Sequence, residues 1–131
     1  MTTYTEHFTL QTDKRREIIN ITPRVQAAVE KSGITDGIVM ISPLHSNASV
    51  FINDDEPGLL QDIDEWLQKL APHRDDYRHG AKQESNASVH LQGLILPGQT
   101  MVAVTGGKLE LGPGAKSSTS NSTAAAPSAL C

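Results

Sequence analysis

Ile38-Val39-Met40-Ile41-Ser42-Pro43-Leu44-His45-Ser46-Asn47-Ala48-Ser49-Val50-Phe51-Ile52-Asn53-Asp54-Asp55-Glu56-Pro57-Gly58 is the stretch on which the reading of the fold turns. Two apolar, β-branched runs of strand length flank a polar break headed by His45, and the second run passes through an acidic cluster into a helix start. A break of this kind turns or bulges the backbone, and bulges and strand ends are where side chains are re-aimed toward a site. His45 therefore stands where a working residue would stand.

Downstream, Asp54 or Asp55 is expected to accept from the free amides of the next helix, with Pro57 in its first turn. Leu59, Leu60, Ile63, Trp66, Leu67 and Leu70 recur at helical spacing, which places Trp66 in the core. Residues 72–84 follow as a long polar loop carrying His79, and long loops in compact domains are often functional. Ser85 or Asn86 then caps a short helix in which Ala87, Leu91, Leu94 and Ile95 face inward, with His90 on or near that face. Residues 100–105, Gly106-Gly107 and residues 108–111 read as a hairpin with a tight two-residue turn.

Upstream, residues 4–10 alternate as a half-buried strand, paired through a polar turn with a second strand over residues 17–21, and His7 falls on its surface side. Thr22-Pro23 offers an N-cap and a first helical proline, Val25, Ala28 and Val29 form a narrow apolar stripe, and Gly33 closes the helix.

The chain has 131 residues, 37% hydrophobic and 20% charged, which is the composition of one soluble globular domain with a real core. No apolar run reaches membrane-spanning length, and the first residues lack the basic start and hydrophobic run of a secretory signal. A net charge of -4 gives no footprint for nucleic acid, and the basic run Lys14-Arg15-Arg16 is too short to change that. Cys131 is the single cysteine, which excludes an internal disulfide framework and fits a reducing, cytoplasmic setting.

Each chemical candidate has an ordinary counterpart. A single histidine is most often just partly buried, and Asp54-Asp55-Glu56 reads first as a helix cap. If His45, His79 and His90 converge near Asp54, Asp55, Glu56 or Asp62, neutral imidazoles there can bind a divalent metal or move protons near neutral pH. Their spacing matches no HExxH or CxxC pattern that would force convergence.

Residues 44–50, 53–58, 70–73, 76–79, 86–91 and 107–112 together resemble, in order and spacing, the YjbQ-like family, described as secondary thiamine-phosphate synthases. The resemblance implies a compact α+β domain, mostly antiparallel sheet with two to three helices, that assembles as a homotrimer. It implies a transferase that joins an aminopyrimidine diphosphate to a thiazole phosphate and releases diphosphate. On this resemblance His45, His79 and His90 become the candidate catalytic residues and the candidate ligands of a divalent metal, Mg or Zn. Ser46, Asn47 and Asn53 become the candidates for binding a phosphorylated small-molecule substrate. Asn47 departs from the Thr or Ser usual in the family, and Asp54 stands where glutamate is common. A trimeric metal- or anion-binding protein without meaningful turnover is the competing reading.

The resemblance covers residues 1–113, whereas residues 114–131 are a Ser, Thr and Ala tail for which disorder is expected, so the family's C-terminal strands are missing. Read one base earlier, the codons from Gly114 onward permit a tryptophan, an Ile-Phe-Tyr run and Glu-Phe-Asp-Gly-Arg-Arg, as the family resemblance leads one to expect. The tail is accordingly expected to be a one-base frameshift product.

Overall fold

The computed structural model describes residues 3–12, 14, 16–80, 86–111 and 122–129, the last group as backbone. In chain order the described elements are β1 (Arg16–Asn20), α1 (Thr22–Ser32), β2 (Gly37–Ile41), β3 (Phe51–Asp54), α2 (Pro57–Leu70), α3 (Ala87–Gly93), β4 (Thr100–Thr105), β5 (Lys108–Leu109) and β6 (Ser122–Ala129). Three helices over small antiparallel sheets make an α+β domain.

The hairpin forms as its turn chemistry requires. Gly106 and Gly107 sit at φ 58° and 77°, a region open to glycine at little cost, and the turn returns β4 onto β5 with Val104 opposite Leu109. β2 joins the other edge of β4, pairing Val39 with Val102 and Met40 with Met101. One face of this sheet presents Val39, Ile41, Val102 and Val104 to Val25 and Val29 of α1, and Ile21, Val50 and Leu109 complete the core. Each such aliphatic side chain contributes about 1.5–3 kcal/mol when fully buried. The outer face leaves Ile38, Met40 and Met101 at 70%, 61% and 69% exposure.

Both helix starts carry Pro in the first turn, and both are capped differently from expectation. The side chain of Asn20, not that of Thr22, accepts the Thr22 amide at 3.0 Å. At α2 the cap is Glu56, not Asp54 or Asp55: its carboxylate accepts from Gly58 N at 2.8 Å and Leu59 N at 2.7 Å, which holds its pKa below the usual carboxylate value. A glutamate directly before Pro57 is one methylene longer than an aspartate and reaches both amides at once. Gly33, at φ 70°, closes α1 as expected.

Four further differences concern packing. Residues 3–12 run extended but join neither sheet; Glu6 pairs with Lys31 at 3.3 Å, Arg24 donates to Thr9 O at 3.1 Å, and its guanidinium lies over Phe8. Charged partners on α1 thus hold this segment by side chains instead of by a ladder. Trp66 is 49% exposed, because the apolar stripe of α2 is wider than its contact and Leu67 alone is fully buried. On α3 and just beyond it, Ala87 is buried, but Leu91, Leu94 and Ile95 are exposed. The helix stops at Gly93, so Leu94 and Ile95 leave its apolar face.

The fourth is the tail. Its residues 122–129 form β6, antiparallel to both β1 and β3, with Ile18 opposite Pro127 and Phe51 opposite Ala125. Main-chain donors and acceptors on two open strand edges accept any extended backbone, whatever its side chains. Residues 114–121, 130 and 131 lie outside the described residues.

Candidate functional site

The break after β2 makes a compact turn. Ala48 N donates to His45 O at 3.1 Å, and Val50 N donates to Pro97 O at 3.1 Å, which fastens the turn to the segment leading into β4. Within it the Asn47 amide donates to His45 Nδ1 at 3.1 Å. That bond makes Nδ1 the acceptor and leaves the proton of a neutral ring on Nε2, at an exposed side chain. Ser46 Oγ donates to Asn47 Oδ1 at 3.4 Å, and Asn47 and Ser49 are 6% and 5% exposed.

His79 and His90 come together. Their rings meet edge to face with centroids 5.1 Å apart, and His79 Nε2 lies 3.1 Å from Asn86 Oδ1, where it donates to the amide oxygen. The loop before His79 is pinned by Tyr77 Oη on Pro72 O at 2.9 Å and by the Arg74 guanidinium over the Tyr77 ring. Asn86 thus spends its oxygen on His79 and not on the amides of α3. Ser85, the other expected cap, lies outside the described residues.

A cavity of about 30 Å3 lies between the turn and α3. Its walls include Ser46, Asn47 and Ser49 from the turn, Val89, Gln92 and Gly93 from α3, Arg16 from β1 and Asp64 from α2. The turn and α3, distant in sequence, therefore share one hollow, and His45, His79 and His90 are not among its lining residues. Asn53 is not in that wall; its Oδ1 accepts the Asp54 amide at 2.9 Å on β3.

Arg16, Asp64, Gln92 and Ser49 escape sequence reasoning. Arg16 places Nε and Nη2 on Asp64 Oδ1 at 2.8 and 2.7 Å and Nη1 on Gln92 Oε1 at 2.7 Å. Gln92, 5% exposed, donates to Leu67 O at 3.1 Å and Ala71 O at 3.0 Å, so it satisfies carbonyls at the end of α2 while holding the guanidinium. The signal was the run Lys14-Arg15-Arg16, whose last member falls on a strand.

Among the described residues no three His, Cys, Asp or Glu side chains converge as a ligand group. Coordination through His45 Nε2 would move its proton to Nδ1, against the Asn47 N–H.

A family model described as UPF0047 protein YjbQ-like matches residues 6–116. A UPF0047 protein of Archaeoglobus fulgidus is 42% identical over 104 residues, covering 79% of each chain. One from Methanothermobacter thermautotrophicus is 38% identical over 112 residues, covering 86% of this chain and 78% of its own length. Among solved structures, a YbjQ-like protein of unknown function from Sulfolobus solfataricus superposes with a TM-score of 0.78 at 29% identity, covering 92% of this chain and 81% of that one. A YjbQ/UPF0047 protein of Clostridium acetobutylicum gives 0.76 at 26% identity, covering 92% and 85%.

Proposed function

The chain belongs to the UPF0047 YjbQ-like family, and from that membership we propose that it acts on a phosphorylated small molecule, joining an aminopyrimidine methyl diphosphate to a thiazole phosphate. In this reaction the bond from the pyrimidine methylene to the diphosphate oxygen breaks as the thiazole nitrogen bonds to that carbon. No proton leaves the carbon, so the site's task is to hold two phosphorylated groups in line and to stabilise charge on the departing oxygen. His45 Nε2–H serves as a donor to phosphoryl oxygens, with its ring held by the Asn47 amide on Nδ1, and the His79–His90 pair adds imidazole groups beside α3. A divalent ion enters this reading carried by the diphosphate, as Mg2+ commonly is, and not in a protein cage.

The observation that carries the reading is the shared cavity of the Ser46–Asn47 turn and α3. Its size favours a second reading beside the first: about 30 Å3 holds roughly two waters, which suits an anionic head group better than two whole substrates. An anion-binding homotrimer without turnover is that second reading. Assembly as a trimer is supported by two unlike apolar surfaces, the flat strand face of Ile38, Met40 and Met101 and the helical ridge of Trp66 and Leu70, as a head-to-tail ring requires. Residues 1–113 are the unit that carries the site. The setting assigned is the cytoplasm, where Cys131 stays reduced; among the described residues no helix is long and apolar enough to cross a membrane.

Diphosphate release by pure protein, with and without divalent metal and beside His90→Ala, tests the choice. Release by the wild type well above the variant supports the transferase; equally slow release in both removes it.

A further inference from the structure

The cavity contains a cation that no sequence motif marked and that the reaction above needs. Arg16 uses Nε–H, one Nη2–H and one Nη1–H on Asp64 and Gln92. A guanidinium has five N–H groups in a rigid fork, so one remains on each of Nη1 and Nη2 without a protein acceptor among the described residues. Ser49 lines the same hollow. It is 5% exposed as a residue. Ser46, the buried Asn47 and Glu17, a second carboxylate beside Asp64, are also in the wall. A serine hydroxyl and a guanidinium with N–H groups left over, lining a space of about two waters, are donors for an acceptor with several oxygens.

The geometry points to an oxyanion seat at this place, in which Arg16 takes phosphoryl oxygens through its remaining Nη1–H and Nη2–H and Ser49 donates to another. Resting on the phosphorylated-substrate reading, it deepens that reading by naming the group that receives the phosphate. Asp64 has two parts in the seat. It fixes the guanidinium plane through Nε, and it also cancels the charge of Arg16, so it competes with any anion bound there. This gives the seat a signature that a purely structural clamp lacks. Removing Arg16 and neutralising Asp64 both break the same salt bridge, yet they should move anion affinity in opposite directions.

The test is a titration of the full chain at fixed ionic strength with inorganic phosphate, diphosphate, sulfate and acetate, followed by NMR at the Arg16 Nε–H and the amides of residues 46–49. Saturable shifts with phosphate and diphosphate are expected. Loss of the charged contact should weaken binding at least about tenfold in Arg16→Gln, and loss of one hydroxyl donor about threefold in Ser49→Ala. Asp64→Asn should tighten it about tenfold at a partly exposed site. Ser49→Ala removes one oxygen and keeps the test valid if Arg16→Gln does not fold. Absence of a saturable shift in the wild type overturns the seat, as does weakening in both Arg16→Gln and Asp64→Asn. An equal response to acetate overturns its assignment to a phosphoryl group. Titration shifts without turnover leave the seat standing and remove the transferase; turnover without shifts does the reverse.

Discussion

Replacing Gln92 with leucine keeps side-chain volume near constant and removes three hydrogen bonds at a position 5% exposed. Leu67 O retains the Ala71 amide at 3.0 Å, so the uncompensated groups are Ala71 O and the Arg16 Nη1–H. An abandoned buried carbonyl costs about 1–3 kcal/mol and a donor on a charged group about as much, which sets the loss near 3 kcal/mol after the added apolar burial is counted. For a domain of this size that is a fall in Tm of roughly 10 °C. Gln68→Leu is the matched control: Gln68 bonds Asp64 Oδ2 at 2.7 Å on the exposed side of α2, where the same chemical change costs within about 0.5 kcal/mol. Calorimetry of both variants reads the difference. If Gln92→Leu melts within about 2 °C of Gln68→Leu, the argument that Gln92 joins β1, α2 and α3 is wrong.

Other outcomes follow from the same contacts. The carboxyl of Glu56 has a depressed pKa in the folded protein, so its contribution to stability is complete above the unfolded value of 4.5 and fades as pH falls through the lower folded value; Glu56→Gln should flatten that part of an acid-unfolding curve. Gly107→Ala forces a side chain onto φ 77° and should cost about 1 kcal/mol in chemical denaturation, with the hairpin register unchanged. Met40→Lys should convert an assembled species to monomers by sedimentation while the single chain stays folded, since the Met40 side chain is 61% exposed within one chain. Hydrogen exchange should protect β6 amides to the level of β1 if the paired backbone persists in solution.

How legible each part was depended on how local its cause is. The β4–β5 hairpin and α1 could be read because Gly106-Gly107, Pro23 and Gly33 set the backbone by their own conformational limits. Residues 4–10 alternate in sequence, yet residues 4–9 are all exposed: a half-buried strand needs a partner edge, and groups on α1 hold the segment instead. Trp66 lies within a valid helical stripe; periodicity gives the width of the stripe and not the width of what packs against it. At the site, the His45 turn was visible as a break between strands, whereas Arg16 acquired meaning only when β1 was brought against α2 and α3. A lone arginine after two basic residues has no local signature of that partnership.

The claim that the His45 turn, the His79 loop and α3 form one phosphoryl site meets its most direct test in the imidazole NMR signals of the chain's five histidines. Titrated with diphosphate, His45, His79 and His90 should move along a single saturation curve while His7 and His73 stay still. Movement of His7 and His73 with the rest, or separate midpoints for His45 and the His79–His90 pair, would contradict it.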